Sequence, residues 1–284
     1  MRVVVTGAAG QLGRDTIIAC AAAGDSVFGF DHTTLDVTDR DAVLGAVTSV
    51  RPHAVIHCAA WTAVDACEAD QGRAFAANAL AVRWVAQACA LTDAHLVQIS
   101  TDYVFDGTKA EDYHEWDTPN PQSVYGASKL AGEREALALG SSAAVVRTSW
   151  VCGEFGANMV KTILRLALQQ PSLAFVDDQR GHPTFCADLA PMLRRLALDR
   201  RSGVHHITNQ GSVSWFEFAQ AVVAAMGKSP EMVRPIATAD LQPPRPALRP
   251  ANSVLDNMVL RGSGLQLLGD FREPLARLVR RLSA

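Results

Sequence analysis

Tyr125 and Lys129 stand four residues apart in the run Tyr125-Gly126-Ala127-Ser128-Lys129, which follows the helix-start signal Asn120-Pro121. Both side chains are therefore expected on one face of a helix, one turn apart. A phenol with its ordinary pKa of ~10 neither gives nor takes a proton readily at pH 7, and an ammonium held beside it favours the phenolate. The spacing suits a tyrosine that moves a proton. The same pattern also arises by chance on exposed helices, so its weight depends on its surroundings. Those include Ile99-Ser100-Thr101-Asp102-Tyr103-Val104-Phe105-Asp106-Gly107, where Thr101 is placed to donate a hydrogen bond to a substrate carbonyl as negative charge grows on its oxygen. A strand followed by an Asp-Gly turn accounts for Asp106 and Gly107 but not for the hydroxyls before them.

A second constellation opens the chain. The apolar run Val3–Thr6 leads into Gly7-Ala8-Ala9-Gly10-Gln11-Leu12-Gly13, a turn with glycine at every third position. Glycine is needed there where backbone turns tightly, where it approaches a pyrophosphate and where helix packs on strand, while the following helix offers free N–H groups to phosphate. Gly7, Gly10, Gln11, Leu12 and Gly13 are therefore the candidate dinucleotide loop. Asp31 ends the next strand, at the distance from the glycines where a carboxylate accepts hydrogen bonds from an adenosine ribose. No arginine follows it, so NADH is favoured slightly over NADPH. The alternative for Asp31 is to cap the turn into His32-Thr33-Thr34.

Positioning these residues requires alternating strands and helices. Strand candidates are Val3–Thr6, Ser26–Phe30, Ala54–Cys58, His95–Ser100 and Ala143–Thr148. Helix candidates between them are Gln11–Ala23, Arg40–Val50, Gly72–Leu91 and Ser123–Leu139. This alternation predicts an α/β fold, a Rossmann-type doubly wound parallel sheet. After Trp150 the rhythm loosens into proline-bearing stretches around the helix candidates Asn158–Gln169, Ala187–Leu198, Ser214–Met226 and Glu273–Leu282. We divide the chain into a dinucleotide-binding domain at 1–150 and a smaller substrate-binding lobe at 151–284, with part of the chain free to cross back.

Bulk properties narrow the function classes. With 284 residues, 49% hydrophobic and 19% charged, the chain can build its core without disulfides or structural metal. A net charge of −3 with dispersed Lys and Arg gives no field for nucleic acid. The apolar runs look too short for a membrane helix, and the chain enters a strand directly after Met1-Arg2; we expect a cytoplasmic protein. The six cysteines form no C-x-x-C pair and are expected as buried thiols. The histidines lack metal-ligand spacing, His205 and His206 pointing to opposite faces of a strand. No metal is expected.

Several segments together resemble one family: the glycine loop, Cys58 to Asp65, Ser100 to Gly107, Tyr125 to Lys129, Arg147-Thr148-Ser149-Trp150, Gly181-His182-Pro183-Thr184 and Arg249-Pro250. They are similar to the dTDP-4-dehydrorhamnose reductase family of the extended short-chain dehydrogenase/reductase superfamily, over nearly the whole chain. The run from Thr101 to Gly107 is the most specific part of the likeness, because related sugar-nucleotide dehydratases usually carry an acid directly after the Thr-Asp pair, where this chain has Tyr103. The resemblance implies NAD(P)H-dependent reduction of the C4 keto group of a nucleotide-linked 4-keto-6-deoxysugar. In it Tyr125 protonates the alkoxide, Lys129 holds the nicotinamide ribose and tunes Tyr125, and Thr101 assists. It further implies that Thr101 and Asp102 touch the sugar, that Trp150 packs against it, that Ala60, Trp61 and Thr62 line the cofactor, and that Asp36 and Val37 lie beside the adenine. Trp150 also fits as a core residue. Some members bind magnesium through glutamates at a dimer interface; here Asp15 and Ala187-Asp188 stand at those positions, and a homodimer is left open. Rival readings are another 4-keto-sugar reductase and a non-catalytic nucleotide-binding regulatory subunit.

Overall fold

The computed structural model describes residues 1–283. The strands β1 (Arg2–Thr6), β2 (Ser26–Phe30), β3 (Ala54–His57), β4 (His95–Thr101) and β5 (Ala143–Thr148) form one sheet, all paired in parallel. The apolar runs that made them legible are the reason they sit centrally: Val3, Val4, Val5, Ala54, Val55 and Ile56 are wholly inaccessible, as expected of parallel strands covered on both faces. On one face lie α2 (Arg40–Val50), α3 (Gln71–Thr92) and α4 (Val124–Leu137), whose inward residues share a core with Val4, Val55 and Leu96. On the other lies α1 (Gln11–Ala22).

The chain beyond residue 150 returns to the sheet. After α5 (Met159–Gln169) and β6 (Leu173–Val176), the helix α6 (Cys186–Leu198) packs against α1 under the sheet, and β7 (Gly203–His206) adds a sixth strand beside β5. The sheet order is β7-β5-β4-β3-β1-β2. Gly-Val-His-His carries too little periodicity to announce a strand; its edge pairing with Ala144–Arg147 supplies what local propensity does not. The second lobe has its own core, built by α5, α7 (Trp215–Ala225), β8 (Val233–Ile236), which pairs with β6, and α8 (Arg272–Ser283).

Helix α3 runs unbroken for 22 residues with a π-helical turn at Ala76–Leu80. By length and composition it is apolar enough to cross a membrane, a correction to the expectation that no segment reaches that length. Alanine is the reason: it lets an apolar helix wedge between α2 and α4, and half of its most apolar window is buried in the fold.

Candidate active site

The strand order reverses between β1 and β3, and a doubly wound sheet binds ligands at such a switch point, beyond the carboxyl ends of its strands. A cleft of about 610 Å³ opens there, walled by Gly7 and Gly10 after β1, Asp31 and Val37 after β2, and Cys58 to Trp61 after β3. Gly7 has φ +68°, and a Cβ on it would lie 2.7 Å from the Ala59 backbone nitrogen, so any other residue would push apart the two loops that frame the cleft. Helix α1 starts at Gly10 with no side-chain cap, leaving its first N–H groups free for an anion. Loop, helix end and cleft fit a dinucleotide.

Of the residues expected at the cofactor, Gly7, Gly10, Asp31, Asp36, Val37, Ala60 and Trp61 line this cleft; Gln11, Leu12, Gly13 and Thr62 are not among its walls. Gln11 spends its side chain on the second lobe, donating to the Ala157 carbonyl and accepting from Asn158. Leu12 joins the main core, and Gly13 lets α1 pack on the Gly7 loop. Asp31 does cap its turn: Oδ1 accepts from the backbone and hydroxyl of both Thr33 and Thr34. These bonds hold its pKa down at about 2, so a charged carboxylate also faces the cleft. The wall has members that sequence reasoning missed, among them Leu35, Thr38, Ala76 and Arg73, whose guanidinium lies 4.5 Å from the Trp61 ring centre.

Beside the cleft, Ser123 caps α4 by accepting from the Gly126 backbone, and the helix presents Tyr125 and Lys129 one turn apart. Gly126 is required because a Cβ would collide with the Tyr103 carbonyl, so the catalytic helix lies directly on the loop after β4. Tyr125 is 8% exposed and Lys129 3%. Lys129 Nζ donates to the Ile99 carbonyl at 2.6 Å, and burial lowers its pKa to about 8. Burial pushes Tyr125 far above the usual phenol range, with the neighbouring Thr101 hydroxyl opposing the shift. Desolvation is the largest influence on the phenol, and the Lys129 ammonium is engaged with a carbonyl. Thr101 donates to Asp102 Oδ1 at 2.9 Å, while Asp102 Oδ2 is buried without a partner. Burial raises that carboxyl to about 6. The group can therefore do one thing well, which is to hold a neutral phenol and two hydrogen-bonding side chains at the mouth of a dinucleotide cleft.

The RmlD substrate binding domain family model matches residues 1–284. A dTDP-4-dehydrorhamnose reductase of Streptomyces griseus is 41% identical over 280 residues, covering 96% of this chain and 91% of its own. This chain belongs to the dTDP-4-dehydrorhamnose reductase family. A probable dTDP-4,6-dihydroxy-2-methyloxan-3-one 4-ketoreductase of Streptomyces antibioticus is also 41% identical, over 97% of this chain and 93% of its own. The crystal structure of dTDP-4-dehydrorhamnose reductase from Bacillus anthracis in complex with NADP superposes with a TM-score of 0.94 at 39% identity, covering 99% of both chains.

Trp150, the family's expected sugar contact, has φ +47° and stacks on Trp215 at 3.6 Å, with Phe218 tilted beside it. Half-buried, it packs against the second-lobe core, as the core reading has it. Asn78, in the π-helical turn, was not foreseen: it accepts from the Trp61 backbone and donates to the Trp61 carbonyl and Ser128 hydroxyl. It ties the wall of the cleft to α4, and a π-turn is where a helix re-aims such a side chain. Arg249, singled out only as part of a motif, grips Asp65 through both carboxylate oxygens.

Proposed function

We propose that this protein reduces the C4 keto group of a nucleotide-linked 4-keto-6-deoxysugar, most directly dTDP-4-dehydrorhamnose to dTDP-L-rhamnose, with NADH or NADPH. The observation that carries the reading is the buried, neutral Tyr125 beside Thr101, at the mouth of a dinucleotide cleft. The bound dihydronicotinamide supplies hydride to C4. Tyr125 gives its hydroxyl proton to the oxygen that becomes negative, and Thr101 donates a hydrogen bond to that oxygen. Lys129 holds the nicotinamide ribose. Asp102, with an unpartnered buried oxygen, accepts from the sugar's hydroxyls, and Trp150 covers part of the sugar from the second lobe. Gly7, Gly10, Asp36, Val37, Ala60 and Trp61 hold the cofactor, with Asp31 at the adenosine ribose.

The equal likeness to a Streptomyces antibioticus 4-ketoreductase favours one second reading, a reductase of another dTDP-4-keto-deoxysugar. The deciding experiment follows the absorbance of NADH and NADPH with a panel of nucleotide-linked 4-keto-6-deoxysugars, products being assigned by NMR at C4. Turnover of none of them would sink the reductase reading and leave a non-catalytic binding subunit. The same reading places the protein in the cytoplasm, away from nucleic acid and membrane, and a homodimer is tested by light scattering.

A further inference from the structure

Glu133 follows Tyr125 and Lys129 on α4 at the same four-residue step, and it is 2% exposed. Its Oε1 accepts from the Ser100 hydroxyl at 2.5 Å and from Arg147 Nε at 2.9 Å, and its Oε2 accepts from Arg147 Nη2 at 2.7 Å. Arg147 is itself buried on β5, directly opposite Ser100 in the strand register, with its guanidinium 5.1 Å from the Phe105 ring centre. Behind it stands His206 of β7. The His206 Nδ1 lies 3.1 Å from two backbone carbonyls, of Tyr113 and Asp256, so Nδ1 carries the proton and Nε2 accepts from Arg147 Nη1 at 3.5 Å.

The end of β4 is thereby read by α4 at three successive helical steps. The Ile99 carbonyl takes Lys129, the Ser100 hydroxyl takes Glu133, and the Thr101 hydroxyl faces Tyr125. A buried ion pair is a poor device for stability, because apolar residues of the same volume often serve as well. Its geometry is more demanding, since an arginine bound through two nitrogens fixes a carboxylate in plane and distance. A carboxylate one turn from Lys129 also favours the ammonium. The other titratable groups around Lys129 are Tyr125 one turn before it, kept protonated by burial, His57 at the end of β3, kept neutral by burial, and Cys58 just beyond it, kept protonated.

Resting on the reductase reading, we infer that Glu133, anchored by Arg147, is a positioning residue. It locks the catalytic helix to the end of β4, setting Thr101 against Tyr125, and it keeps Lys129 charged. Three variants of the full-length protein with cofactor bound test this. Ser100→Ala loosens the lock without stranding a charge. Glu133→Gln combined with Arg147→Met removes charge and lock together without leaving a buried cation. Glu135→Gln, on the same helix in an exposed pair with Arg83, is the control.

The first two should lower kcat about tenfold or more, the scale of a misplaced catalytic group, with KM nearly unchanged, and the control should lower neither. Only four lysines are present, so NMR of ¹³C-labelled lysine side chains follows Lys129 directly. Its midpoint should move down in the double variant and stay in Ser100→Ala. Unchanged kcat in the folded fraction of both variants, or an unmoved Lys129 midpoint in the double variant, overturns the inference. If the wild type turns over no keto-sugar, the reductase reading falls separately, and the lysine titration still decides whether Glu133 governs Lys129.

Discussion

Replacing Tyr125 by Phe removes one hydroxyl from the centre of the site and leaves the ring in place. The ring meets Tyr103 edge-on at 5.6 Å and packs with Cys67 and Ala74, contacts that phenylalanine keeps. What the fold loses is at most one polar contact, with the neighbouring Thr101 hydroxyl, a loss of no more than about 1 kcal/mol. For a chain of this size that lowers Tm by roughly 2–4 °C. The reaction loses its proton donor, a loss of about 10²-fold or more in kcat, or about 2.7 kcal/mol of barrier. The two effects are read by different assays: Tm should fall by no more than those few degrees and NADPH affinity should hold while turnover of the keto-sugar collapses. The decisive measurement is kcat at saturating cofactor, from loss of reduced-nicotinamide absorbance, alongside Kd for NADPH from its fluorescence. Turnover close to wild type would remove Tyr125 from the chemistry, and equal losses in kcat and NADPH affinity would make it a packing residue of the cofactor wall.

The pH profile of kcat/KM should show two limbs. It rises through about 6 as Asp102 ionises to accept from the sugar and falls through about 8 as Lys129 loses its ammonium; Asp102→Asn should erase the first limb, and a limb that survives belongs to another group. Because the folded pKa of Lys129 is depressed from 10.5 to about 8, the folded state binds fewer protons than the unfolded chain between those values. Lys129's contribution to the urea midpoint should therefore rise with pH across that window and vanish in Lys129→Met. For cofactor choice, NADH should be preferred, and Asp31→Asn, which keeps an acceptor for the Thr33–Thr34 turn while removing the charge, should narrow the NADH/NADPH ratio in Kd; an unchanged ratio assigns Asp31 to the turn alone. Trp150→Ala should lower Tm by several degrees, since the ring stacks on Trp215, and should also raise the sugar KM; a Tm loss with unchanged KM would confine Trp150 to the core.

The central sheet was legible because its strands are short apolar runs between alanine-rich helices, and a parallel strand covered on both faces needs no other signal. The strands Ser26–Phe30 and Ala143–Thr148 and the helix Arg40–Val50 fall where the pattern puts them. Strand β7 was not legible, because Gly203–His206 is made a strand by its neighbour rather than by its own residues. At the site, the glycine loop and the Tyr-Lys step were visible as spacing, since each rests on backbone geometry within one turn. Arg73 and Asn78 were not, because nothing local marks an arginine that a helix delivers to a wall formed by three other loops. Glu133 lay in view all along at the next step of the helix, but its partners Ser100 and Arg147 come together only across two strands.

Burial moves Tyr125 up and Lys129 down for one reason, the penalty on charge in a dry site, and both shifts serve reduction rather than oppose it. Proton donation to an alkoxide needs a phenol that is protonated before the reaction begins, and raising its pKa guarantees that at neutral pH. Each unit by which burial raises the phenol costs about 1.4 kcal/mol of driving force for the transfer, and the same dry site raises the alkoxide's own affinity for a proton, so transfer still runs toward the sugar. Oxidation of the alcohol would require the opposite, a phenolate waiting in the same dry pocket, and would have to pay the burial penalty that reduction avoids. Lys129, held at about 8, keeps its ammonium at neutral pH, and a proton from solvent restores the phenol after transfer. A catalyst lowers one barrier for both directions, so what these shifts set is the resting protonation state from which reduction would start, a protonated Tyr125 and a charged Lys129 at neutral pH.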